Sequence, residues 1–158
     1  MNDPVGSSVG SVFGSPVSDE RFEAIWNRAR QPQLTTAPGY DGDAALHLAL
    51  TFHGMVMNAG LLGTLDAYED ELNYPLPWVA QAYRALALPI TAALIEQAQR
   101  EHQQLVAELT ALPEQQAAAR WDEAEVRIDA TYTIDDAALA RAARSLVNEA
   151  PHTFAPLP

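Results

Sequence analysis

Cysteine and lysine are both absent from the 158 residues of this chain. Without cysteine there is no disulfide, no zinc–thiolate or iron–sulfur ligation and no thiol nucleophile. Without lysine there is no Schiff base, no anchor for pyridoxal phosphate and no P-loop lysine. Positive charge of any kind is scarce: nine arginines stand against 21 Asp and Glu, for a formal net charge of −12. The phosphates of DNA, RNA and anionic lipid would repel such a surface, which argues against direct binding to nucleic acid or membrane. No run approaches the ~20 apolar residues of a membrane span. Residues 1–17, MNDPVGSSVGSVFGSPV, carry neither the basic start nor the apolar stretch of a secretory signal. A cytoplasmic protein is therefore expected. A chain of this length can bury ~70% of its unfolded surface, so a single domain needs no metal or disulfide to hold it.

What is present reads as helix after helix. Residues 1–17 form an expected disordered arm rich in Gly, Ser and Pro, 18–150 a single helical domain, and 151–158, with three prolines, an extended tail. Ser18 is a good N-cap, followed by Asp19, Glu20 and Glu23 at the positive end of a helix dipole, and Phe22, Ile25, Trp26 and Ala29 make its apolar stripe. Asp41 or Asp43 caps the next helix, whose residues 44–57 are apolar nearly all round, as in a central buried helix. Asn58-Ala59-Gly60 interrupts it, because Asn and Gly tolerate the left-handed conformation that ends helices. A helix over 61–72 follows and Asn73 ends it. After Pro75 comes the stripe Trp78, Val79, Ala82, Tyr83 and Leu86. Pro89 then starts the longest helix, to about Leu112. Its seam of Ile95, Ala98, His102, Leu105, Leu109 and Leu112 is ~35 Å long and packs inside the monomer or against a second copy.

Residues 126–134 alternate like a strand, yet Trp121, Glu125, Ile128 and Tyr132 also stand at helical spacing. A lone strand would lack a pairing partner, so a helix fraying near Thr131 is expected. Asp135 then caps a last helix over 136–149. The fold class is all-α, a compact bundle of six to seven helices.

Chemistry is harder to find. The histidines are His47, His53, His102 and His152. His47 and His53, six apart, fall on different helix faces, and no HExxH or calcium-loop pattern occurs. There is no nucleophile elbow and no glycine-rich phosphate loop. A general acid needs a carboxyl whose pKa burial has raised, and most acidic residues lie on expected outer faces. His53 and His102 read best as core histidines, with His53 near a small cleft. No enzyme, cofactor or metal site is expected.

The layout of charge says more. Between Gln31 and Tyr83 there is no arginine, while Asp41, Asp43, Asp66, Glu69, Asp70 and Glu71 fall there. Asp66, Glu69 and Asp70 share a helix face. A second cluster is Asp122, Glu123, Glu125, Asp129, Asp135 and Asp136, offset by Arg120 and Arg127. Two readings stand side by side: a solvated surface that keeps the protein soluble, or carboxylates presented in place of phosphates. Duplex DNA carries one charge per roughly 1.7 Å, about twice the density one such helix provides. Mimicry therefore needs two acidic helices on one face.

The segment Phe52-His53-Gly54-Met55-Val56-Met57-Asn58-Ala59-Gly60-Leu61-Leu62 resembles the core of the DNA-mimic-protein (DMP-nineteen-like) helical domain family, in which an aromatic and a Val precede Asn-Gly-Gly and a hydrophobic pair. The stretches 80–88 and 91–98 look like the helices that follow, and 128–136 and 146–154 like its Asp-x-x-Tyr…Asp-Asp stretch and closing Pro-x-x-Phe tail. The resemblance spans about residues 20–154, with two departures: Ala59 replaces the first glycine, and Ala87 or Leu88 stands where a glycine is common. It implies an all-α fold without cofactor and, for some members, binding to a helix-turn-helix regulator in place of DNA. The expected partner is thus a basic DNA-binding protein. The alternative is a toxin, capped by an immunity-type inhibitor without mimicry. Asp66, Glu69, Asp70, Glu71, Asp122, Glu123, Glu125, Asp129, Asp135 and Asp136 are the candidate contacts, and Asn58 and Gly60 a structural helix break.

Overall fold

The computed structural model describes residues 14–34, 36–71 and 75–158, with the side chains of all but 69–71. Six α-helices run in order: α1 (Asp19–Ala29), α2 (Asp41–Glu71), α3 (Leu76–Ala85), α4 (Pro89–Leu109), α5 (Glu114–Asp129) and α6 (Asp136–Glu149), followed by a 3-10 turn at Pro151–Thr153. No strand occurs among the described residues. The expected arm lies outside them up to residue 13, and so does Asn73. Val17 is held by a 2.7 Å bond from its N–H to the side chain of Asn148.

Helix α2 is the axis of the bundle, and every other helix packs against it. Its composition explains why: Leu46, Ala49, Phe52, Leu61 and Leu62 are buried on several sides at once, as a helix surrounded by neighbours requires. By length and composition residues Asp41–Tyr68 could also cross a membrane, at a mean hydropathy of 1.3. Here 44% of that window is buried, and α1, α3, α4 and α5 all pack against α2.

The break in α2 is at Gly60 alone, with φ 73° and ψ 170°, a region that only glycine occupies readily. Among the described residues the other positive φ values are at Gly39 and Ala87, so Asn58 stays helical. A Cβ on Gly60 would strike the carboxylate of Asp129, 2.7 Å from its Cγ. That carboxylate takes the N–H of Leu62 at 2.9 Å. It thereby caps the second arm of α2 from α5, because a helix restarting in mid-chain has amide donors of its own to satisfy.

The remaining joints follow local chemistry. Ser18 and Asp135 accept from Arg21 N–H and Ala138 N–H at the starts of α1 and α6. Helix α5 ends at Asp129 with its C-cap at Ala130, so 126–129 is helical and the expected fraying begins there. Helix α4 stops at Leu109, one turn short of the expected Leu112, and Leu112 is exposed. Ile95, Ala98 and Leu105 of its seam are buried within the monomer.

The tail is not simply extended. After the 3-10 turn, Phe154 is buried against Gly42, where a Cβ would come within 2.7 Å of its ring. Asp43, 1% exposed, receives Arg28 Nη2 at 2.8 Å and the N–H of Ala155 at 2.7 Å, and Arg28 also donates to the carbonyl of Ala155 at 3.1 Å. Asp43 is thus a buried clamp for the C-terminal segment rather than a helix cap.

Candidate functional site

Two groups of polar residues stand out from this frame. The first is the acidic pair of α5 and the second arm of α2. Asp129 meets Gly60, while Trp121, two turns back on α5, lies edge-on to His102, whose Nε2 donates to Asp66 at 3.0 Å. The two segments therefore run antiparallel, and Asp122 and Glu125 fall alongside the arm that carries Asp66. The Asp66 side chain is 55% exposed. Glu69, Asp70 and Glu71 continue the same arm, but their side chains lie outside the described residues.

The fold uses several of the expected contact residues internally. Asp129 caps α2, Asp135 caps α6, and Asp136 is bound to His53. Glu123 lies 3.5 Å from Arg120, which also reaches Glu108 at 3.2 Å. Asp122 and Glu125 remain on the side of α5 that carries Asp129, with Asp66 on the neighbouring arm, while Glu123 is turned toward Arg120 and α4. Beside them the outer side of α5 carries Val126, 74% exposed; Asp122 and Glu123 are one helical turn away. At the back of the pair, Arg127 bonds Glu101 at 2.6 Å and, with Gln97, holds that carboxyl below its usual range.

The second group is a buried chain that links three helices and the 130–135 loop. The hydroxyl of Tyr83 (α3) is 2.8 Å from that of Tyr132, which is 2.8 Å from His53 Nδ1 (α2); His53 Nε2 is 2.8 Å from Asp136 Oδ1 (α6). A fourth, longer contact of 3.3 Å joins Tyr83 to the carbonyl of Ala49. With a neutral ring, three protons satisfy the three short bonds in one direction: Tyr83 donates to Tyr132, Tyr132 to Nδ1, and Nε2–H to Asp136. If the ring takes a second proton, Nδ1 donates, both hydroxyls turn, and Tyr83 falls on the Ala49 carbonyl. These proton positions follow from the bonding pattern.

Burial, first among the causes, pushes the Tyr132 hydroxyl up to about 12, its bond with Tyr83 opposing and the charge of Asp136 adding. Burial pushes Tyr83 up further still. Neither phenol is thereby prepared to be a base or nucleophile at neutral pH. Both nitrogens of His53 are occupied, so its ring has none to offer a substrate, and Asp136, 87% exposed, is the only member of the chain that faces solvent openly.

The sequence marked His53 and Asp136 separately. It could not pair them, because they are 83 residues apart, as His53 and Tyr132 are 79. The other candidate, His102, is tied to Asp66. Among the described residues no three of His, Asp and Glu gather as metal ligands would. No family model, curated protein or solved structure matches the chain.

Proposed function

We propose that this chain is a non-enzymatic acidic binding protein that occupies the nucleic-acid-binding surface of a basic, helix-turn-helix type regulator. The observation that supports this reading best is the outer face of the helix pair. Asp122 and Glu125 stand on one side of α5, Asp66 on its antiparallel neighbour, and Asp129 fixes the two together. Two acidic helices side by side are the minimum for an imitation of phosphate spacing. The chain's net charge of −12 would speed capture of a cationic partner. The resemblance of residues 20–154 to the DNA-mimic family points the same way.

A second reading, an immunity-type inhibitor that caps a toxin, is favoured by Val126. An exposed aliphatic side chain with carboxylates around it is the pattern of a protein interface with an apolar centre and polar rim, and phosphate mimicry has no use for it.

One experiment separates the two. The immobilised protein captures its partner from cell extract at about 0.1 M salt and is washed at about 1 M, where the Debye length falls from about 10 to about 3 Å; duplex DNA is then added as a competitor. Mimicry requires release by salt and by DNA, and loss of capture in Asp66→Asn/Asp122→Asn/Glu125→Gln. Equal neutralisation elsewhere, in Glu20→Gln/Asp41→Asn/Glu149→Gln, must leave capture intact. Retention through salt and DNA, abolished by Val126→Asp, supports the inhibitor instead. Equal loss in both triple variants sinks both, since bulk charge would then suffice.

A further inference from the structure

A groove of about 630 Å³ lies between α1, α2 and the start of α6. Its volume is in the range of small-molecule sites. Trp26 from α1 and Leu50 and Met57 from α2 supply apolar wall, and Glu23, Arg30 and Asp136 supply charge. Glu23 and Arg30 are seven residues apart along α1 and its C-cap, which separates their Cα atoms by about 10 Å along the groove. Among the described residues neither enters an ion pair, in a chain whose other groove carboxylate, Asp136, is already bound through Oδ1 to His53. The groove thus has an acidic end, a basic end and an aromatic wall between them, with Asp136, bound through Oδ1 to His53, among its lining residues.

We infer that this groove is a binding site for a zwitterion of dipeptide size with apolar side chains. The ligand's ammonium meets Glu23, its carboxylate meets the Arg30 guanidinium, and its peptide N–H donates to Asp136. The side chains lie on Trp26, Leu50 and Met57. A plain amine would leave Arg30 unanswered and a plain carboxylate would leave Glu23 so; a single amino acid is too short to reach both. His53 acts here only by fixing the Asp136 carboxylate, so that Oδ2 is held still for the ligand. The groove lies along residues 50–58 of α2, ahead of the Gly60 break, and includes none of Asp66, Asp122, Glu123 and Glu125.

The test uses the dipeptide Leu-Phe, its N-acetyl form and its C-terminal amide, titrated calorimetrically into the whole protein. Leu-Phe should bind saturably, and each blocked form about tenfold more weakly or worse, as loss of one charge-assisted contact implies. Glu23→Gln should abolish the difference between Leu-Phe and its acetyl form while leaving that between Leu-Phe and its amide. Arg30→Gln should do the reverse. Both residues are exposed, so neither variant endangers folding. No binding by any of the three peptides overturns the inference. So does equal binding of all three, or variants that weaken all three alike.

Discussion

The turn between α3 and α4 contains an error that one substitution should repair. Leu88 N–H bonds to the Tyr83 carbonyl and Ala87 N–H to the Arg84 carbonyl, both at 2.9 Å, the paired bonds of a Schellman ending. Its central position requires a left-handed residue, and Ala87 sits there at φ 56°. An L-residue with a Cβ loses about 1–2 kcal/mol in that conformation. Glycine would remove the strain but gives back about 0.4–1 kcal/mol through the freer unfolded chain. Ala87 is exposed, so no packing is lost. Ala87→Gly should therefore stabilise the fold by about 0.5–1 kcal/mol, or raise Tm by roughly 1–4 °C for a domain of this size. Urea denaturation checks it: the midpoint should rise with the slope m unchanged. Ala87→Val, β-branched and worse in this region, should lower the midpoint. A neutral or destabilising Ala87→Gly would refute the strain argument, since nothing else at that position changes.

Three further outcomes follow from the buried contacts. Gly60→Ala should cost about 2–4 kcal/mol through backbone strain and collision with Asp129, and Asp129→Ala about 1–2 kcal/mol through loss of the cap; the double variant should cost less than their sum, because removing the carboxylate removes the collision. Arg28→Ala should cost about 3–5 kcal/mol by stranding the buried Asp43 charge, and limited proteolysis should then cut the tail near Phe154. Burial keeps Tyr132 protonated up to about 12 against 10.0 for a free phenol. Below pH 10 both states hold the proton and stability is unaffected; from pH 10 to 12 only the unfolded chain ionises, so up to about 2–3 kcal/mol is lost. Tyr83, shifted the same way, extends the loss upward. Tyr132→Phe should cost about 1–3 kcal/mol at neutral pH by leaving His53 Nδ1 without a partner and Tyr83 with only its longer bond to the Ala49 carbonyl, and should flatten the alkaline decline measured by denaturation at stepped pH.

The parts of the fold that local chemistry dictates were legible in advance. Ser18, Gly60, Pro89 and Asp135 each mark a helix start or break through their own backbone or side-chain preferences, and the structure has a boundary at each. The apolar character of 44–57 correctly indicated a central helix. What escaped were partnerships across distance. Asp129 looks like any exposed helical carboxylate until α5 is laid beside Gly60, 69 residues earlier, and Asp43 looks like a cap until the tail returns 112 residues later. The left-handed position was not legible: alanine gives no sign of it, and only the structure shows Ala87 at φ 56°.

These misplaced carboxylates have a common physical cause. With 21 acids, nine arginines and no lysine, most acidic side chains cannot find a cation. A carboxylate that folding brings beside an unbonded donor, buried or exposed, then takes backbone N–H groups or an imidazole. Asp129, Asp135 and Asp43 accept from the amides of Leu62, Ala138 and Ala155, and Asp66 and Asp136 from His102 and His53. Net charge therefore overstates the surface available to a partner, because part of it is spent on joints of the bundle. The acids open to a binding function are those out of reach of any orphan amide. On an α-helix those lie in its middle turns, where backbone donors are already bonded within the helix. Asp122, Glu123 and Glu125 meet that condition on α5, and Asp66 meets it on α2 with one oxygen already held by His102, whereas Asp135 and Asp136, at a helix start, do not. Those side chains are where substitution would distinguish a solvated surface from the proposed phosphate imitation.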